Sequence, residues 1–437
     1  MSVRKGTAIA MVATMVMIST AVVGCRNDAP EAQQGGSGVK FDVGVTSEPC
    51  PAAVDTSKGC IYLGSISDLT EGPFKALGVP ITESQKAFWK RVNEAGGIGA
   101  YEVDLTKYVK DNKYNPQIHN EVYAEIKPDV LGLAQTLGSP TTAAILADLK
   151  SSSVIGVPAS WTSAWAFEDV ILESGTNYCF ESMNSVDFAV ETLKSKSVAA
   201  VHFPGDYGDD AAAGTKIAAE ANGLKFTDIS TASGQENQGA AIQKLLQAKP
   251  DLVILTTGPT EAATIVGGAA QNGFTGQFIG TSPTWNPALL KSPAAPALTA
   301  LYRQSGPWAP YGTDTPGHKA LAGALDQATF KAAPNDGYTA GWVWSYPMKA
   351  ALQKAVDSKD LTRAGLLAAV KSLETVDYEG MLPAEAGKFV GAPDERVFRQ
   401  SIISKVDPSA PTGVKVEKDF FTGTTAEKHE FSKPCYQ

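Results

Sequence analysis

Residues 198–203 read Val-Ala-Ala-Val-His-Phe, and residues 209–222 read Asp-Asp-Ala-Ala-Ala-Gly-Thr-Lys-Ile-Ala-Ala-Glu-Ala-Asn. The first run is short and apolar, which indicates a buried strand, whereas the second has the length and alanine content of a helix. Strands that alternate with helices in this way indicate βαβ units and parallel sheets. The sequence therefore predicts the α/β class. The alternation continues through 226–229, 238–248, 251–255, 261–271 and 277–279.

A similar alternation precedes this stretch, so two lobes of similar size are predicted. A chain of 437 residues is also long for one simple core. Strands are predicted at 61–69, 101–109, 129–133 and 154–157, and helices at 80–95, 117–126, 141–149 and 186–193. Downstream, the pattern predicts helices at 317–330, 338–356 and 362–373, followed by a strand-like tail at 378–416.

The first 25 residues have the pattern of an export signal. Arg4 and Lys5 form a positive start, residues 8–23 are mostly apolar, and Gly24 precedes Cys25. This pattern resembles the lipobox of bacterial lipoproteins, so we expect a signal peptide at 1–24 and a lipid on Cys25. An ordinary signal peptide and a membrane anchor are the alternatives, although the apolar run is shorter than the ~20 residues that span a bilayer. Residues 25–45 are predicted to be a flexible tether.

Composition is typical of a soluble globular protein, and the net charge argues against nucleic-acid binding. Hydrophobic residues make up 43% and charged residues 19%, and the net charge is −9. An acidic chain lacks the clustered cations that nucleic acid requires. No P-loop, nucleophile elbow, zinc-protease motif or dinucleotide-binding motif is present, and the four histidines are isolated. We therefore expect neither an enzyme nor a cofactor.

Four cysteines besides Cys25 fit an oxidising compartment. They allow three pairings. Cys50 and Cys60 enclose a short loop rich in turn-forming residues, so that bridge is favoured, and Cys179 then pairs with Cys435. A metal site is the competing interpretation, but the chain has no C-x-x-C and no histidine at ligand spacing from a cysteine.

Hydroxyl-rich loops follow two predicted strands of the first run, at the edge where α/β sheets bind ligands. Ser139 is predicted to cap a helix with Pro140 in its first turn, and the free amides there suit a carboxylate. Hydroxyls beside tryptophans after the next strand suit a ligand with one polar end and one apolar end. Plain helix capping and core packing are the alternatives. The candidate ligand-binding residues here are Thr136, Ser139, Thr141, Ala159, Ser160, Trp161 and Thr162.

Loops of the second run carry similar features. Each follows a predicted strand and leads towards a helix, so an ordinary turn is the alternative in every case. Their distribution over both runs favours a site between two lobes. The candidates are Tyr207, Thr257, Glu261, Ser282 and Trp285.

From about residue 62 to 406 the chain resembles the branched-chain amino-acid-binding proteins, the type I solute-binding proteins of ABC importers. The resemblance rests on Ser-Asp-Leu-Thr-Glu-Gly-Pro at 67–73, Asn-Glu-Ala-Gly-Gly-Ile at 93–98, Gly-Asp-Tyr-Gly at 205–208 and Asp-Gly-Tyr-Thr-Ala at 336–340. It implies two Rossmann-like lobes joined by three hinge crossovers, with a ligand trapped by hinge closure. The implied lobes are 46–182 with 304–374, and 183–303 with 375–437.

The resemblance also implies roles and partners. Carboxylate contacts fall on Ser139 and on the Ala159–Ser160–Thr162 loop, Tyr207 lines the cleft, and an ABC permease with its ATPases is the partner of a monomer. Family members that bind amino acids place a glutamate in the loop after 277–279, where this chain has Thr-Ser-Pro. Either Glu261 or Asp68 substitutes for it, or the ligand lacks an ammonium group.

Three tryptophans, Trp161, Trp285 and Trp308, favour an aromatic or bulky apolar ligand. A ligand sensor on the same fold and a cell-surface hydrolase are the alternative functions. The sensor is disfavoured because the chain carries no signalling domain, and the hydrolase because no catalytic constellation is present.

Overall fold

Two sheets organise the protein in the computed structural model, which describes residues 33–34, 38–327 and 334–437. The part described from residue 38 onward belongs to one compact unit. Its strands, and the short strand before it, are β1 Gln33–Gln34, β2 Lys40–Phe41, β3 Val45–Thr46, β4 Gly59–Ser67, β5 Tyr101–Asp111, β6 Gly132–Leu137, β7 Gly156–Ala159, β8 Ser197–His202, β9 Lys225–Ser230, β10 Leu252–Thr256, β11 Gln277–Gly280, β12 Tyr302–Gly306, β13 Asp360–Leu361, β14 Ser401–Val406 and β15 Val414–Phe421.

Helices follow most of the strands, as the alternating pattern predicts. They are α1 Lys75–Glu94, α2 Pro116–Ile126, α3 Ser139–Ser151, α4 Tyr178–Phe188, α5 Asp206–Ala221, α6 Gly239–Ala248, α7 Pro259–Gln271, α8 Ala295–Leu301, α9 Pro316–Gln327, α10 Asp336–Asp357, α11 Arg363–Val370, α12 Pro393–Arg396 and α13 Thr424–Lys428.

Parallel pairing dominates both large sheets. The first contains β3, β4, β5, β6 and β7, and only β3 pairs antiparallel. The second has the order β15-β14-β12-β11-β10-β8-β9. Strands β8 to β12 pair in parallel, and β14 and β15 pair antiparallel. The predicted α/β class with parallel-rich sheets is confirmed.

The chain crosses three times between the first large sheet with its helices and the second large sheet with its helices. The passages lie between β7 and β8, between β12 and α9, and between α11 and β14, since α9 and α10 pack against α1 beside the first sheet. Phe88 of α1 meets Trp342 and Tyr346 of α10 edge-on, with ring centroids 5.1 and 5.0 Å apart. This helix pair therefore covers the first sheet with large buried rings.

Both predicted disulfides are present. Cys50 and Cys60 are joined, and Cys179 of α4 is joined to Cys435 near the end of the chain. The backbone amide of Cys435 also donates to the Ser163 hydroxyl at 2.9 Å. The C-terminal segment is thereby tied to the loop that follows β7.

Several predicted boundaries are wrong. The predicted strand 129–133 is displaced, because Pro128 belongs to a short 3-10 turn and β6 occupies 132–137. The strand carries the polar Gln135, whose burial is tolerated because its amide oxygen accepts from Ser65 and Thr82 at 3.0 and 2.9 Å. The predicted helix 186–193 begins already at Tyr178, and β12 and α8 were not predicted.

The two ends of the chain also differ from the prediction. Between 378 and 400 the structure has no named strand, only a 3-10 turn and the four-residue α12. Val39 and Phe41 are buried, so folded structure begins before residue 45. The predicted signal peptide, Cys25 and most of the predicted tether lie outside the described residues. Among the described residues, none of the helices is both long and apolar enough to cross a membrane.

Candidate functional site

A pocket with about 960 Å³ of empty space, part of it open to solvent, lies between the two large sheets. On the first side, residues from the β6–α3 loop, the segment after β7, and α10 line it. On the other side, β12, β14 and the loop after β11 line it. This is the edge at which open α/β sheets bind their ligands.

Ser139 and Ser160 form a polar edge of this pocket. Leu137 and Ala159 are partners in the parallel pairing of β6 with β7, so Ser139 and Ser160 follow the carboxyl ends of neighbouring strands. Ser139 is only 2% exposed, and its hydroxyl has no hydrogen-bond partner among the described residues. The Ser160 hydroxyl accepts from the indole nitrogen of Trp165 at 3.1 Å, which leaves its proton to donate.

The prediction that Ser139 caps α3 is wrong. Gly138 is the capping residue, with φ 98°, and the helix has no side-chain cap. A Cβ added at Gly138 would lie 2.6 Å from the ring of Tyr114, so both the positive φ and the close approach require glycine here. This turn places Ser139 inside the first turn and leaves its hydroxyl available.

Three tryptophans form an apolar wall beside the polar edge. The ring centroid of Trp161 lies 5.1 Å from that of Trp308 and 4.9 Å from that of Trp344. Trp308 and Trp344 are 5.9 Å apart. Rings in such mutual contact leave no space between them for a cation, so they do not form an aromatic cage.

The aromatic residues on the wall from the second sheet direct their own polar groups to protein partners. The Tyr207 hydroxyl donates to the carbonyl of Thr257 at 3.1 Å, and its ring contacts that of Tyr178 at 4.7 Å. Trp285 stacks on Tyr302 at 5.5 Å and donates to the carbonyl of Thr412 at 2.8 Å. These rings therefore present mainly apolar surface to the pocket.

Carboxyl groups are the ionisable groups nearest this site. Among the described residues that line it, none is lysine, arginine or histidine, and Asp336 is the one acid. Burial raises the pKa of Asp336 to about 6. Glu181 lies behind the wall, fully buried, and its carboxyl accepts from the amide of Ser282 at 2.9 Å. Burial raises the pKa of Glu181 to about 8.

The structure brings together seven of the thirteen residues that the sequence singled out. These seven line the pocket from both sides, and no ligand contact is implied by that position alone. They are Ser139, Ala159, Ser160, Trp161, Tyr207, Ser282 and Trp285.

The other six residues do not line the pocket. Asp68 accepts from the amides of Gly72 and Phe74, both at 2.8 Å, and so shapes the loop that brings Phe74 to the pocket. Glu261 accepts from the amide of Gly234 at 2.9 Å. Thr162 is fully buried.

The remaining three are threonines with internal bonds. The Thr136 hydroxyl bonds to His119 at 3.0 Å and to Thr142 at 2.9 Å. Thr141 donates to the carbonyl of Gly138 at 2.9 Å, and Thr257 to that of Gly258 at 3.2 Å.

Sequence reasoning missed the contribution of α10. Asp336, Ala340 and Trp344 all line the pocket and are spaced four residues apart, so they share one face of the helix. This helix is buried along most of its length, and its apolar residues gave no signal to distinguish the pocket face from the core face.

Comparison with known proteins gives the family. The model of the periplasmic binding protein family matches residues 61–411, and the chain belongs to this family. No curated protein matches significantly. The resemblance to type I binding proteins of ABC transporters is confirmed, and the family implies work outside the cytoplasm.

Solved structures agree with this assignment. A fatty acid ABC transporter substrate-binding protein from Thermomonospora curvata is 30% identical, covering 91% of this chain and 99% of that one, with a TM-score of 0.83. A branched-chain amino acid ABC transporter protein from Thermus thermophilus with bound valine is 16% identical, covering 85% and 98%, with a TM-score of 0.74. A leucine-binding protein from Thermotoga maritima is 17% identical, covering 82% and 97%, with a TM-score of 0.67. The last two show a similar fold.

Proposed function

We propose that this chain is the solute-binding component of an ABC importer and that it captures an apolar carboxylic acid of the fatty-acid type. The observation that carries this proposal is the pairing of a polar edge, Ser139 and Ser160, with the wall of three tryptophans. A carboxylate at the edge and an aliphatic chain along the wall would satisfy both.

Neutral donors recognise the acid in this proposal. Ser139 and Ser160 both line the pocket, and the 13-residue α3 begins at Ser139 with free backbone amides in its first turn. A carboxylate there accepts charge-assisted hydrogen bonds, which are stronger than neutral ones. The unpartnered and nearly fully buried Ser139 hydroxyl is a group whose desolvation a ligand would offset.

An α-amino acid fits the pocket less well. Asp68 and Glu261, the two predicted partners for an ammonium group, do not line the pocket, and their carboxylates accept from backbone amides. The tryptophans do not enclose a cation. The 30% identical structure is named as a fatty-acid binder, which favours the same ligand class.

In this proposal the ligand is captured when the two lobes close about a hinge. We propose the lobes 46–182 with 304–374 and 183–303 with 375–437, since the pocket takes residues from both. A ligand that contacts both walls binds the closed form more tightly than the open one, and it shifts the population by that difference. Delivery to a permease and its ATPases, export as a monomer, and a lipid on Cys25 complete the proposal.

A thermal-shift experiment tests the ligand class. Residues 26–437 would be produced in an oxidising host and melted with octadecanoic acid, shorter fatty acids, aromatic acids, leucine or valine. A ligand at 100 times its Kd adds about 2.7 kcal/mol to the free energy of unfolding. We expect fatty acids to raise Tm and leucine and valine to leave it unchanged. A rise with leucine or valine and none with fatty acids would overturn the proposed ligand class.

A further inference from the structure

One face of α10 carries an acceptor and a donor into the pocket. Asp336 and Trp344 are eight residues apart, so their Cα atoms are separated by about 12 Å along the helix axis. Both line the pocket, as does Ala340 between them. A ligand that contacts both residues therefore needs two polar groups that are separated by about 12 Å.

Trp344 marks the end at which the acid is held. Its ring lies 4.9 Å from that of Trp161, which directly follows Ser160 in the lining. It is 1% exposed, and its indole nitrogen has no hydrogen-bond partner among the described residues. This N–H is thus a third neutral donor on the same side as Ser160.

Asp336 marks a second polar position. Its Oδ1 accepts from the amide of Tyr311 at 2.6 Å, which fixes the carboxyl at the start of α10. No cationic side chain among the described lining residues faces it. A half-buried carboxyl without a cation can accept a hydrogen bond from a neutral donor of a ligand.

We propose that the acid bound by this pocket carries a hydroxyl group partway along its chain, and that Asp336 accepts the proton of this hydroxyl. The inference rests on the proposed function and narrows it to hydroxylated long-chain acids. The acid head lies at Ser139, Ser160 and Trp344, and the hydroxyl lies about 12 Å away along α10. The chain between them crosses Ala340, whose small side chain leaves room.

Calorimetric titration with three acids tests this. The probes are octadecanoic acid, 12-hydroxyoctadecanoic acid and 2-hydroxyoctadecanoic acid, which has its hydroxyl beside the acid head. We expect the 12-hydroxy acid to bind about tenfold more tightly than the unsubstituted acid, and the 2-hydroxy acid to show no such gain. In Asp336→Ala the tenfold preference should disappear while the unsubstituted acid still binds.

Each other outcome has a distinct meaning. Equal affinity for the unsubstituted and 12-hydroxy acids, or a preference that survives Asp336→Ala, overturns the assignment of Asp336 while the proposed function stands. Binding of none of the three acids overturns the proposed function itself. A 12-aminooctadecanoic acid that binds more tightly than the 12-hydroxy acid would assign Asp336 to an ammonium group and overturn the hydroxyl. Near-ultraviolet circular dichroism of Asp336→Ala establishes that the variant is folded.

Discussion

The two walls of the pocket differ in how many of their polar groups lack a protein partner. On the first wall, the Ser139 hydroxyl and the Trp344 indole have no partner among the described residues. On the second wall, Ser282 donates its amide to Glu181 and Tyr207 donates to the Thr257 carbonyl. The Ser305 hydroxyl of the second wall is also buried without a partner among the described residues. A buried donor without a partner costs free energy until a ligand accepts from it, so the first wall offers two such donors and the second wall one.

This difference suggests a division of labour. The first wall selects the polar end of the ligand, whereas the second wall supplies a rigid apolar surface that closes over it. Substitution of Ser139, whose hydroxyl has no partner among the described residues, should therefore change affinity with little effect on stability. Substitutions behind the second wall should change stability or its dependence on pH.

The largest effect is expected when both serines of the first wall are replaced. Ser139→Ala with Ser160→Ala removes two hydrogen bonds to a charged group, each worth about 1.5–3 kcal/mol. Affinity for a fatty acid should fall by roughly a hundredfold or more. Tm without ligand should also fall, because Ser160→Ala leaves the buried indole N–H of Trp165 without its acceptor. Ser182→Ala is the matched control, because Ser182 is also fully buried and unpartnered among the described residues but does not line the pocket. Unchanged affinity in the double variant would mean that the acid is held elsewhere.

The second wall is tested through Glu181. Its pKa is raised by burial to about 8 from an ordinary value of 4.5. Between pH 4.5 and 8 the unfolded chain gives up this proton first, so the free energy of unfolding falls as pH rises through that window, by an amount on the order of a few kcal/mol.

Glu181→Gln keeps an oxygen for the Ser282 amide but does not ionise. The variant should match the parent near pH 4.5 and exceed it in Tm above pH 8. Melting curves of both proteins across this range give the comparison. Parallel curves at every pH would show that Glu181 ionises normally in the folded protein.

A smaller effect is expected at the turn that positions Ser139. Gly138→Ala places a Cβ at a φ of 98° and 2.6 Å from the Tyr114 ring, which costs about 1–2 kcal/mol and displaces the serine. Both Tm and affinity should fall. Gly239→Ala is the control, since nothing lies within 4 Å of its added Cβ and its φ is not positive. If the two variants behave alike, the conformation of Gly138 does not position Ser139.

Much of the fold was readable from the sequence because apolar periodicity is local. The runs at 198–203 and 251–255 predicted β8 and β10 to within a residue or two. The strand containing Gln135 was displaced in the prediction, because its polar residues are satisfied by Ser65 and Thr82, which come from distant parts of the chain. The local pattern of apolar and polar residues cannot predict hydrogen-bond partners that lie far away in the sequence.

The site could be predicted from the sequence only in part, because it too depends on partners that lie far apart in the sequence. Loops after strands were expected to line a ligand pocket, and Ser139 and Ser160 do line it at the ends of neighbouring strands. Glu261 looked equally suitable, but its carboxyl accepts from the Gly234 amide. Whether a polar side chain faces a pocket or a backbone amide depends on neighbours that only folding brings near.

The sequence by itself determined the α/β class, the family resemblance and the loops that could meet a ligand, and it favoured the disulfide pairing that the structure shows. These follow from hydrophobic period, cysteine spacing and ordered motifs along the chain. Only the tertiary structure decided which donors remain without partners, that the tryptophans pack against one another instead of around a cation, and that α10 adds Asp336 and Trp344 to the pocket. Hydrogen-bond satisfaction and ring contacts depend on residues far apart in sequence, so they are set when the two sheets and α10 pack together.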